Sequence, residues 1–123
     1  MRRNVAGLSV ARVFCQLQDK TITYWGDIDT YGFVILNRLR ARYPHVRSIL
    51  MDLHTLLAHP LQWVTEERPT NQPLPHMTEA EADTYEALVE DRFGHHVRLE
   101  QERVRFSLVR EALNTPRTMN SYC

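Results

Sequence analysis

Lysine is nearly missing from this chain: Lys20 is the only one among fifteen basic residues, and the other fourteen are arginine. Charge of either sign is not in excess, since fifteen acids balance the fifteen bases and the formal net charge is zero. That balance excludes indiscriminate nucleic-acid binding by the whole surface. Cysteine is also scarce, and Cys15 and Cys123 show neither a metal-ligand nor a disulfide-framework spacing, so a reducing cytoplasmic setting is expected. No apolar run approaches the roughly 20 residues that span a bilayer. Met1-Arg2-Arg3-Asn4 leads into too weak an apolar stretch for a secretory signal, and no membrane partner is expected.

What remains is an ordinary composition, 43% hydrophobic and 24% charged, in 123 residues. It fits one domain over 1–123 with enough chain to bury a core. The arginine bias suits phosphate and carboxylate recognition through a planar fork, although a GC-rich genome yields the same bias.

Two of the four glycines flank the most pointed stretch, Tyr24-Trp25-Gly26-Asp27-Ile28-Asp29-Thr30-Tyr31-Gly32-Phe33. Strand side chains alternate, so Asp27 and Asp29 face the same way, about 6–7 Å apart at Cα. Like charges that close raise one another's pKa unless a positive group lies between them. A hard divalent cation with oxygen ligands, Mg2+ or Mn2+, suits that place. Gly26 and Gly32 allow a sharp turn and a close approach to a neighbouring element. The plain alternative is an acidic strand-end turn with a helix cap and no metal. A dehalogenase-type D-x-D-x-T reading fails because Thr30 follows Asp29 directly, and the chain is short for a nucleotide-sugar transferase.

Periodicity places a helix over Val5–Leu17 with Leu8, Ala11 and Cys15 on one stripe, a turn at Gln18-Asp19-Lys20, and a strand over Thr21–Trp25. A helix follows from Thr30 to Tyr43, stopped by Pro44, and Val46–Met51 reads as a second strand. Strand, helix and strand within some thirty residues predict a βαβ unit with parallel strands. Asp52 caps a short helix, and the proline-rich stretch 60–77 reads as a surface loop. Thr78-Glu79-Ala80-Glu81 is a capping-box signature for a helix to about Asp91, with Ala82, Tyr85 and Val89 inward. A last segment, Val97–Leu113, carries Leu99, Phe106, Val109 and Leu113 at helical spacing.

The motif, with Ile35-Leu36-Asn37-Arg38-Leu39-Arg40, Val46-Arg47-Ser48-Ile49-Leu50-Met51-Asp52 and Arg98-Leu99-Glu100-Gln101-Glu102-Arg103, resembles the C-terminal TOPRIM-like domain of JetD subunits of Wadjet plasmid-defence systems. That family is related to the A subunit of type VI topoisomerases. The resemblance implies an α/β fold with a partial, TOPRIM-like parallel sheet flanked by helices. It further implies Mg2+- or Mn2+-dependent DNA cleavage with Asp27 and Asp29 as catalytic metal ligands, and a condensin-like ATPase complex as partner. Glu100, with Glu102 in the same block, is a candidate third metal carboxylate, against an ion-paired helix surface with Arg98, Arg103 and Arg105. Arg38, Arg42 and Arg47, with Arg40, are candidates for DNA phosphates, against a solvated helix face.

The resemblance also implies a glutamate on a strand before the motif. No Glu precedes Glu66, and Asp19 is the only acid before the motif. The chain is therefore expected to be a fragment of a longer protein, or a non-catalytic DNA-binding or docking module. An edge left by the missing strand would favour a homodimer. Asp52 lies where a parallel sheet collects ligands, but a helix cap explains it more simply. His54, His59, His95 and His96 form no zinc pattern and are expected in core or surface roles, with Trp25 and Phe33 in the core.

Overall fold

A computed structural model describes residues 12–15 and 21–113. The β-branched and aromatic run Ile22–Trp25 forms β2, the middle strand of a three-stranded sheet. Strand β1, Arg12–Cys15, pairs antiparallel to it in the register Arg12↔Trp25 to Cys15↔Ile22. On the other side the two-residue β3, Arg47–Ser48, runs parallel to β2, with Thr23 opposite Arg47 and Tyr24 opposite Ser48. Helix α1, Thr30–Arg42, links the two parallel strands, so the βαβ unit is present. The sheet is nevertheless mixed and not wholly parallel, because β1 runs the other way.

That strand corrects the helix expected over Val5–Leu17. Val13 and Phe14 are strand formers, and over so short a window the stripe Leu8–Ala11–Cys15 does not discriminate helix from strand. Pairing with β2 decides it. The remainder of that stretch and the turn at Gln18-Asp19-Lys20 lie outside the described residues.

Helix α2, Leu53–Leu57, begins at Asp52, whose Oδ1 accepts from Thr55 N at 2.9 Å. Most of 60–77 is exposed, but it includes a 3-10 turn at Pro60–Gln62, strand β4 at Val64–Thr65, and the buried Glu66. Helix α3, Glu79–Val89, opens with the expected capping box between Thr78 and Glu81. Its buried residues are Glu81, Thr84, Ala87 and Leu88; Tyr85 packs against the core as expected, while Ala82 and Val89 are exposed, which corrects that part of the expected face. The rotation comes from Glu81, which a hydropathy pattern sends to solvent. Here it is buried, pairing with Arg40 Nη1 at 2.5 Å and accepting from Ser48 Oγ at 2.5 Å. Burial alone would raise the Glu81 pKa, but hydrogen bonds from Arg40, Ser48 and the Thr78 N–H hold it below the ordinary carboxylate range.

The segment 97–113 is also not one helix. Strand β5, Val97–Arg98, pairs antiparallel with β4, a 3-10 turn covers Gln101–Arg103, and only Phe106–Leu113 forms helix α4. Val97, Arg98, Leu99 and Glu100 alternate apolar and polar, a period-2 pattern that a strand satisfies.

The core joins both small sheets to the helices through Tyr24, Ile28, Phe33, Leu36, Met51 and Leu99. Phe33 is fully buried there, while Trp25 is half-buried. His59 is a core histidine: its Nδ1 faces Thr55 O at 2.8 Å and its Nε2 accepts from Arg105 N at 3.0 Å. No described helix is long and apolar enough to cross a membrane.

Removing one partner of a buried ion pair leaves the other charge uncompensated, so Glu81→Ala should cost about 3–5 kcal/mol. Glu90→Ala, which deletes the exposed contact with Arg92, should stay within about 0.5 kcal/mol. Urea unfolding of the two variants measures the contrast.

Candidate functional site

The site forms where β2 runs into α1. Tyr24 is fully buried, and its hydroxyl donates to Gly32 O at 2.9 Å, drawing the first turn of α1 against the strand. Burial, followed by the nearby Asp29 and Asp27 carboxylates, pushes the Tyr24 hydroxyl pKa up, so it remains a donor. The two motif glycines serve this closeness. A Cβ on Gly26 would lie 2.5 Å from Tyr24 Oη, and one on Gly32 would lie 2.2 Å from the Asp27 carbonyl oxygen. Neither has a positive φ, so what they provide is space and not a left-handed turn.

Asp27 and Asp29 are only 5% and 4% exposed. Asp29 is the N-cap of α1, its Oδ1 accepting from Gly32 N at 2.6 Å. Asp27 Oδ1 accepts from Gln101 N at 2.7 Å. Their other oxygens converge on one guanidinium: Arg98 Nη2 donates to Asp27 Oδ2 at 3.1 Å, and Arg98 Nε lies 3.4 Å from Asp29 Oδ2. The second contact is coulombic and lacks hydrogen-bond alignment, leaving the buried Nε–H without an acceptor. Between the two acids, Ile28 exchanges backbone hydrogen bonds with Leu99, N to O at 2.9 Å and O to N at 3.0 Å, which sets Arg98 beside the pair.

A third carboxylate arrives with β4. Glu66 N donates to His96 O at 2.7 Å as the β4–β5 pairing ends, and the Glu66 side chain turns inward to 5% exposure. Its oxygens accept from Thr30 N at 3.1 Å, from Thr30 Oγ1 at 2.9 Å and from Tyr31 N at 3.1 Å. Asp29 and Glu66 thus share the free N–H groups that begin α1, a region that favours negative charge. Together Asp27, Asp29, Glu66, Arg98, Glu100 and Tyr31 line much of a cavity of about 520 Å³.

Three buried carboxylates around one guanidinium leave the centre short of positive charge. Burial, then Glu66 and then Asp27, push the Asp29 pKa up to about 7. Burial also raises Asp27, opposed by the Gln101 N–H and by Arg98. Arg98 is held in its charged form by Asp29, Asp27 and Glu100 despite its burial. An oxygen-only donor set with surplus negative charge fits a hard divalent cation.

The other candidates divide. Glu100 reaches this cavity, its Oε2 3.8 Å from Arg98 Nη2, while Glu102 is exposed. Arg38 and Arg42 are exposed toward the far end of α1, roughly 12–18 Å along the axis from Thr30 at about 1.5 Å per residue. Arg47, opposite Thr23, stands at the upstream end of β2, away from the acids. Arg40 is committed to Glu81. Asp52 caps α2 as described, apart from this cavity. Asp91, His95 and His96 gather within 4.8 Å of one another, largely exposed. The two imidazoles are stacked at 3.7 Å, and such near-parallel rings do not aim their in-plane lone pairs at one ion.

Sequence reasoning missed Glu66, because it lies in a proline-rich stretch with no local motif. It also missed Arg98 as the partner of the aspartates, although the alternation over 97–100 was a usable signal. The strand that precedes the motif, Arg12–Cys15, runs antiparallel to β2 and carries no acid, so no Glu-bearing strand precedes the motif among the described residues.

The class so defined is an α/β domain with an acidic, oxygen-lined centre at a strand end. The chain belongs to the family described as Wadjet protein JetD, C-terminal, which matches residues 4–113 and is the family that the motif resembles. Membership implies the setting of a multi-subunit defence system. No curated protein matches the chain.

A folded-state pKa above the ordinary value for Asp29 means that the native protein holds its proton longer than the unfolded chain. The contribution of Asp29 to stability is therefore greatest in acid and is lost as pH rises from about 4 to about 7. Asp29→Asn should flatten that part of the profile, as read by urea unfolding at several pH values. An unchanged slope would remove Asp29 as its source.

Proposed function

We propose that this domain serves plasmid defence as a TOPRIM-like unit that cleaves DNA with Mg2+ or Mn2+, with Asp27 and Asp29 as its metal-binding catalytic carboxylates. The observation that carries the reading is the surplus of buried carboxylate over cation at the end of β2. The arrangement of β2, α1 and β3, with both acids beyond the C-terminal end of β2, supports the TOPRIM-like comparison. α/β sheets collect their ligands at such an edge.

Bound there, the cation supplies Lewis-acid polarisation of the scissile phosphodiester. Asp27 and Asp29 would hold it, each carboxylate being fixed beforehand by a backbone N–H, from Gln101 and Gly32. Glu66 deepens the negative potential from below, while the more exposed Glu100 stands at the rim as a further ligand. Arg38, Arg42 and Arg47, remote from the acids, serve DNA only as outlying phosphate contacts. The assembly partner is a condensin-like ATPase complex, and β1 is the edge strand of the sheet among the described residues, where a second copy would pair.

A second reading, a non-catalytic DNA-binding or docking module, is favoured by one observation: Arg98 already spans the two aspartates. The two are separated by thermal unfolding with Mn2+, in the wild type and in Asp27→Asn. A ligand at 100 times its dissociation constant adds about 2.7 kcal/mol to the native state. The catalytic reading expects that gain in the wild type, its loss in Asp27→Asn, and loss of Mg2+-dependent DNA cleavage by the defence assembly carrying the variant. No gain, or a gain that survives the substitution, leaves the non-catalytic module.

A further inference from the structure

We propose that Arg98 is a displaceable counterion that couples cation binding to phosphate binding: it occupies the aspartates until a divalent cation takes them, and is then released to the DNA backbone. The inference rests on the cation reading above. The ion-pair partners of Arg98 are all acidic, namely Asp27 at 3.1 Å, Asp29 at 3.4 Å and Glu100 at 3.8 Å, with Glu66 in the same cavity and the exposed Arg68 also on its wall. In this arrangement its Nη2 and Nε are engaged by the aspartates. The guanidinium cannot deprotonate to make way, because arginine stays charged in proteins. A cation placed between the same oxygens would therefore meet a fixed positive charge, and either the ion or the arginine must leave.

The structure makes the arginine the easier one to move. Its contact with Asp29 lacks hydrogen-bond geometry, its Nε–H has no acceptor, and its side chain is 30% exposed, on the wall of the cavity that opens to solvent. The aspartates are pinned by Gln101 N and Gly32 N, and Glu66 by Thr30 and Tyr31. A freed guanidinium at the cavity mouth presents the planar donor pair that suits a phosphodiester. Cation and DNA would then bind cooperatively, without any change in the backbone.

The test is Mn2+ affinity by calorimetry for the wild type and Arg98→Gln, with binding of a short DNA duplex measured with and without Mn2+. Unit charges about 4 Å apart interact strongly enough that removing the competitor should tighten Mn2+ binding at least about tenfold. The same variant should lose the gain in duplex affinity that Mn2+ gives the wild type. Unchanged or weaker Mn2+ binding in Arg98→Gln, with the wild type binding normally, overturns the counterion and leaves the metal site standing. Absence of Mn2+ binding in both proteins overturns the two together. Should Arg98→Gln not fold, the wild-type Nε–H signal of Arg98 in an NMR titration with Mg2+ decides the question. Movement toward the position of exposed arginines supports release, and a signal unmoved at saturating Mg2+ overturns it.

Discussion

Two hydrogen bonds between the backbones of Ile28 and Leu99 hold the centre together. Both side chains are buried in the core, at 1% and 0% exposure, so the bridge is fixed by packing as well as by pairing. Because side chains alternate along an extended segment, anchoring Ile28 inward turns Asp27 and Asp29 to the other side. The same logic at Leu99 turns Arg98 and Glu100 toward them. One reciprocal pair thus aligns two acids with their cationic partner, and β4, attached to β5, carries Glu66 into the same place.

The local elements were legible in the amino-acid sequence wherever a single segment held all the information. Helix α1 follows from its apolar spacing, and the starts of α2 and α3 follow from Asp52 and Thr78, whose side chains satisfy N–H groups only a few residues away. The D-x-D pair was visible for the same reason. What escaped was set by distant partners. Glu81 looks like a solvent residue until Arg40 and Ser48 are brought to it, and its burial turns the whole of α3. Strand β4, two residues long, has no periodicity to read, and its existence depends on pairing with β5. Glu66 inherits that dependence, which is why the third carboxylate could not be found from the motif.

Burying so much like charge is costly, and the domain spreads that cost over neutral donors. Asp27, Asp29 and Glu66 together engage the backbone N–H groups of Gln101, Gly32, Thr30 and Tyr31. Hydrogen bonds to charged acceptors are stronger than neutral ones and need no counter-charge. The centre therefore tolerates a single arginine where three carboxylates would otherwise demand more.

The sequence distance between Asp27 and Gln101, 74 residues, has a consequence for biosynthesis. The βαβ unit is complete by Ser48, and within it Asp29 already has its Gly32 N–H, whereas Asp27 still lacks Gln101 and both acids lack Arg98. Arg98, Leu99 and Gln101 follow only after α3, and loop closure over such a length is slow compared with the local steps. Until those residues follow, neither acid has the guanidinium of Arg98 beside it, and the centre is the last part of the domain to be completed.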